Sequence, residues 1–198
     1  MMKISELLRK CSNLKNITLL FLFLLIFIFV IFPYYESNIN NSTNENIKIL
    51  DVRFGYNIDQ VTELFKEMGE NGRAAYFIIL SKTDMIYPII YGSFLILLIA
   101  FLLDKIYPHS NKILLFLIFP IVGMVFDYLE NFNTLYLLNK FPNITTEEVT
   151  FGSLMTQLKW VFILFSIALI VILLITLAIK DNFVILKKFL RKRKTMRH

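Results

Sequence analysis

The chain holds 198 residues, 57% of them hydrophobic, with 20 phenylalanines and a formal charge of +6. Only 18% are charged, against about 25% in soluble domains; the apolar residues fall in blocks, which marks a helical membrane protein and leaves no room for a separate soluble catalytic domain. One cysteine, Cys11, and two histidines outside the apolar blocks, His109 and His198, exclude a disulfide framework, a cysteine-based metal site and a histidine-rich zinc site.

Residues 1–16 are basic, with Lys3, Arg9, Lys10 and Lys15 ahead of an apolar run from Ile17 to Phe32. That run is long, and no small-residue cleavage site follows at Pro33-Tyr34-Tyr35, so it reads as an uncleaved anchor spanning 17–35 rather than a signal peptide. Cys11 beside it is an unmodified thiol on the plain reading. The loop 36–75 opens with a polar spacer, Ser37 to Asn44, whose Asn41-Ser42-Thr43 matches a glycosylation acceptor, as does Asn143-Ile144-Thr145. In an asparagine-rich chain both matches read as coincidence. Further along, Ile58, Val61, Leu64, Phe65 and Met68 recur at helical spacing, predicting a short amphipathic helix capped by Asn57 or Asp59 and ended by Gly69.

Further spans follow at 76–103, 113–138 and 157–179, each near the ~20 residues that a ~30 Å hydrocarbon core requires. The third is apolar only as far as Phe126, and its Pro120 and Gly123 predict a kink or a close-packing point. With the N-terminus cytoplasmic, the segments 1–16, 104–112 and 180–198 hold 14 Lys/Arg against 3 acids, and the rest of the chain holds 7 against 12. The positive-inside rule then places both termini in the cytoplasm and the molecule in the cell membrane. The tail 180–198 is basic and amphipathic, suited to anionic lipid rather than nucleic acid. The expected fold is therefore all-α: a polytopic four-transmembrane-helix bundle, 17–179, with a short extracytoplasmic amphipathic helix, a cytoplasmic basic N-terminus and a cytoplasmic basic tail.

Acids inside such spans cost about 2.5–3.5 kcal/mol each at mid-bilayer and persist mostly where they meet a partner, a cavity or a site. Asp127, Glu130 or Asn131, and Thr134 share one helical stripe; Asp84, Tyr87, Pro88 and Tyr91 share another. At 1.5 Å per residue Asp127 lies about 21 Å and Asp84 about 28 Å above the inner ends of their helices, level with Ser153, Gln157 and Lys159 at the outer start of the fourth span. Arg73 is within reach from the loop. Pro88 has no N–H for the Asp84 carbonyl, which leaves that oxygen free if the helix extends upstream. Each residue also has a plainer role: Asp84 as an N-cap, Glu130 in the headgroup layer, Lys159 and Trp160 as interfacial anchors. Asp127 and Asn131 lie too deep for such a role.

These residues resemble a family of uncharacterised bacterial four-span membrane proteins. The likeness covers about residues 50–175 and rests on an ordered series: Gly55-Tyr56, Gly69-Glu-Asn-Gly72-Arg73-Ala-Ala-Tyr76, Asp84-x-x-x-Pro88-x-x-Tyr91-Gly92, Asp127-x-x-Glu130-Asn131 and Leu158-Lys159-Trp160. The resemblance implies the architecture and the candidate site, and no activity.

Three functions compete. The first is a binding protein whose outer polar cluster (Asp84, Tyr91, Asp127, Glu130, Asn131, Gln157, Lys159, Arg73) holds a ligand, a lipid headgroup, a hard cation, or a partner membrane protein or second copy. The second is an intramembrane hydrolase with Asp84 and Asp127 as a catalytic acid/base pair. The third is a small transporter or channel subunit, against which the almost purely apolar inner halves of the spans argue. No sequence signal names a metal or a cofactor.

Overall fold

The computed structural model describes residues 2–42, 49–108 and 113–195, and of the side chains at 2–5, 38, 40–42, 113, 181 and 184–195 nothing is said. Thr43 and Asn44 of the polar spacer, His109 and His198 therefore lie outside the described residues, as do the side chains of the basic tail beyond Phe183; Ser37 to Ser42 are helical and not a spacer. Every element described is helical. Among the described residues four stretches are long and apolar enough to cross a membrane, Leu14–Ser37, Tyr87–Ile106, Leu114–Lys140 and Thr146–Lys180, and the chain is an all-α, multi-pass membrane protein.

Helix α1 (Met2–Cys11) turns at Ser12-Asn13 into α2 (Leu14–Ile26), whose first turn is capped by the Asn13 side chain accepting from the Asn16 N–H at 3.0 Å. A π-helical turn, Phe27–Ile31, leads into α3 (Phe32–Ser42). After a 3₁₀ turn at Leu50–Val52 comes α4 (Ile58–Ile78), opened by a reciprocal capping box between Asn57 and Gln60. The expected amphipathic face is present: Val61, Leu64, Phe65 and Met68 are all buried. Gly69 ends that first helical leg as expected: at φ 60 and ψ −171, a backbone region that only glycine occupies without strain, it divides α4 in two. At the break the Phe65 carbonyl accepts from Arg73 Nη1 at 2.7 Å, so an arginine one turn beyond holds the two legs together.

The second span departs from the expected 76–103. The second leg of α4 runs on through a π-helical turn, Ile79–Thr83, and the chain then bends at Asp84–Ile86 before α5 (Tyr87–Ile106) begins. The hydrophobic run is continuous across the bend, so hydropathy alone does not show it. Pro88 sits in the first turn of α5, where a missing N–H costs nothing. Pro120 holds a similar place: α6 (Ile113–Phe116) stops before Leu117, and the proline lies in the opening turn of α7 (Ile118–Lys140) instead of kinking it. Gly123 packs at ordinary contact distance on Phe162 and Ile163, which is the close-packing role. Helix α8 (Thr146–Thr195) is continuous into the basic tail.

Helix α7 packs along α8, and α5 packs against both, with α2 on the outer side of α5. The buried apolar residues form two separate groups. One lies between α2, α5, α7 and α8, with Leu95, Ile99, Leu103, Leu117, Ile170 and Leu173 at its centre. The other lies toward the loop end, where Leu50, Val61, Phe65, Met68, Tyr76 and Leu80 pack on Leu137 and Val149. Facing outward from the spans are Phe29, Ile121, Val125, Leu164, Phe165 and Ile172, all exposed, as lipid-facing side chains must be. Two polar ties fasten the end nearest the termini: Arg9 pairs with Asp104 at 3.1 Å, and Lys180 Nζ donates to the carbonyls of Lys105 and Ile106, capping α5. At the opposite end Lys140 and Tyr136 both reach Glu148, at 2.5 and 2.8 Å, across the turn between α7 and α8.

Candidate functional site

Along α7 the residues between the two apolar groups are polar: Asp127, Glu130, Asn131 and Thr134 are all buried. The same interval on α8 carries Ser153, Thr156 and Lys159, and the bend before α5 carries Thr83 and Asp84, buried as well. The helices thus meet in a polar layer closed above and below by hydrocarbon. Such a layer forms because each polar residue sits at the i+3 or i+4 step that continues an apolar stripe, so the helix packing that buries the stripe buries it too.

Lys159 is the centre. Its ammonium contacts the Glu130 carboxylate directly and stands 3.7 Å from Asp127 Oδ1. It is only 5% exposed, so it turns into the bundle and is not the snorkelling anchor that its place near a span end suggested. The Trp160 ring lies 5.8 Å from the same nitrogen, adding a cation–π contact. Glu130 is 0% exposed and does not reach a headgroup layer; Thr156 donates to its other oxygen at 2.7 Å.

Asp84 does not cap α5, whose N-cap is Ile86. Its carbonyl accepts from Asn131 Nδ2 at 3.0 Å, the oxygen that Pro88 cannot serve having found its donor on a neighbouring helix. Its carboxylate is buried without an ion pair among the described residues. No hydrogen bond joins Asp84 to Asp127 among the described residues.

Three side-chain atoms in the layer are buried and have no partner among the described residues: Tyr91 Oη, Asn131 Oδ1 and Thr134 Oγ1. The Tyr91 phenol lies beside Asp127, and Thr134 lies beside Tyr56, without reaching hydrogen-bond geometry. Buried polar atoms left in this state cost about 1–3 kcal/mol each.

Spacing within one helix did not reveal three contributors. Tyr56 closes the layer from above: its N–H donates to Ser153 Oγ at 2.9 Å and its hydroxyl stands 3.5 Å from Thr156 Oγ1. Burial pushes this phenol well above its ordinary pKa, so it keeps its proton at neutral pH. Asp51 accepts from the Tyr76 hydroxyl at 2.6 Å, while that hydroxyl accepts from the Leu50 N–H at 3.2 Å. Thr156 had a usable signal, since Gly152, Thr156 and Lys159 stand at i, i+4 and i+7; Asp51 and Tyr56 come from a loop and had none. Two expected members stand apart. Arg73 is committed to the Phe65 carbonyl and to the face of Phe141, 4.9 Å away. Gln157 packs on Gly55, where a β-carbon would come within 2.8 Å of its amide nitrogen.

Among the described residues no group of three or more His, Cys, Asp or Glu side chains is placed to hold a metal ion. No family model, curated protein or solved structure matches the chain.

Proposed function

We propose that this is a cell-membrane protein with both termini in the cytoplasm, and that its polar layer binds a small ligand from the extracytoplasmic side through ammonium or hydroxyl groups. One observation carries the reading: Tyr91, Asn131 and Thr134 keep polar atoms in the buried layer that find no partner among the described residues. The acceptor balance supports the ligand class. Among the described residues Asp84, Asp127 and Glu130 face one ammonium, Lys159, which is engaged with the last two, and the Asn131 oxygen adds another acceptor. The missing partner is a hydrogen-bond donor. Asp127 to Thr134 covers about 10 Å of helix, which suits an extended amine or polyol. The segment at 50–56, held by Asp51 and Tyr56, is the cover. Membership of the bacterial four-span family belongs to the same proposal and rests on the ordered motifs alone.

The test is thermal unfolding of the purified protein in detergent with ethanolamine, putrescine, glycerol and inorganic phosphate added singly. A donor-bearing compound raises Tm in the parent protein and loses at least ten-fold in affinity with Tyr91→Phe or Thr134→Val, while phosphate does nothing. Equal shifts from phosphate, or none from any compound, sink the proposal. So does turnover of outer-leaflet lipid or peptide bonds that Asp84→Asn and Asp127→Asn both abolish, since the layer would then be a hydrolase centre.

A further inference from the structure

A second site lies outside the polar layer, between the second leg of α4 and the end of α7. There a groove of about 390 Å³ is lined by Glu70, Arg73, Ala74, Phe77 and Ile78 on one side and by Leu138 and Asn139 on the other. The α4 residues fall at i, i+3, i+4, i+7 and i+8, so they are one helix face. Their order along the leg is polar to apolar: the acid and the guanidinium come first, and the apolar side chains follow toward the bend at Asp84.

Glu70 and Arg73 are i, i+3 neighbours, about 5–6 Å apart at their β-carbons, yet no ion pair joins them among the described residues. Arg73 donates to a backbone carbonyl and has no carboxylate partner among those residues. An unpaired cation and an unpaired anion therefore stand side by side at the head of an apolar groove, at the membrane face opposite the termini. We propose that this groove holds one zwitterionic aminophospholipid, with the phosphate on Arg73, the ammonium on Glu70, and an acyl chain along Ala74, Phe77, Ile78 and Leu138. The charge order and the polarity order of the groove both match that molecule. An anionic lipid leaves Glu70 facing a negative group, and a lipid without a headgroup leaves both charges bare. Arg73 is already oriented by the Phe65 carbonyl and the Phe141 ring, so little side-chain freedom is lost when the phosphate arrives.

Native mass spectrometry of the full chain, released from detergent with added phosphatidylethanolamine, phosphatidylglycerol or diacylglycerol, tests this. Phosphatidylethanolamine is retained at least five-fold over the other two, and free phosphoethanolamine does not compete at equal concentration. Ala74→Trp, which fills the groove from an exposed position, removes that retention while leaving Tm unchanged. Glu70→Gln shifts retention toward phosphatidylglycerol. Arg73 also holds the α4 break, so the variants are placed at Ala74 and Glu70 instead. Unchanged retention in Ala74→Trp overturns the proposal, as does equal retention of diacylglycerol or full competition by free phosphoethanolamine.

Discussion

Lys159→Met destabilises the protein by about 3–5 kcal/mol, the range for removing one partner of a buried ion pair. The cause is the state of the groups left behind. Glu130 is fully enclosed and Asp127 nearly so, and without Lys159 no ammonium or guanidinium among the described residues pairs with either. Unfolding by SDS titration in mixed micelles measures the loss. A triple variant, Lys159→Met with Asp127→Leu and Glu130→Leu, recovers most of it, because apolar groups of similar volume replace buried ions at little or no net cost. That recovery separates a structural ion cluster from a functional one: the triple variant folds but binds no ligand. If Lys159→Met changes stability by less than about 0.5 kcal/mol, as a solvated surface substitution does, then the lysine reaches water and the layer is not closed.

The cover over the layer carries the second large effect. Phe65→Ala costs about 3–5 kcal/mol, the usual range for truncating a buried aromatic. Phe65 is fully buried, meets Phe141 edge to face at 5.6 Å, and shares the loop-end apolar group with Leu50, Tyr56 and Tyr76. Truncation therefore loosens the segment that closes the polar layer as well as α4 itself. Hydrogen exchange shows this at the Leu50 and Tyr56 amides, which are held by the Tyr76 and Ser153 hydroxyls and exchange faster in the variant. Phe54→Ala is the control: Phe54 is largely exposed, and its loss changes neither stability nor those amides. Equal effects from the two variants contradict the buried cover.

The sequence showed where polar residues interrupt apolar blocks, and it showed their mutual level, because depth follows from counting residues at a fixed rise. Asp127 and Asn131 were legible for that reason. Lys159 was not. With the fourth span taken to start at 157, a lysine at its edge looks solvated; with α8 starting at Thr146, the same lysine lies about 20 Å inside the helix. The start of that helix is held by the clip from Lys140 and Tyr136 to Glu148, a tertiary contact that hydropathy does not carry. The bend at Asp84 was hidden likewise, since apolar side chains continue through it. Pro88 did point to a free carbonyl at Asp84, but the donor, Asn131, lies 47 positions away, and its choice depends on how α5 and α7 pack. Tyr56 and Asp51 were silent because a loop has no periodicity to read. Arg73 was misplaced for a related reason: the break at Gly69 exposes the Phe65 carbonyl, and the nearest strong donor is taken there.

The most direct test of the ligand-binding claim is a density map of the protein purified from its native membrane without added small molecules. The expected result is density larger than a water molecule beside Asp127 and Lys159, within hydrogen-bond distance of Tyr91 Oη, Asn131 Oδ1 and Thr134 Oγ1. A layer that is dry, with those three atoms paired to one another, or one filled by ordered water alone, contradicts the claim.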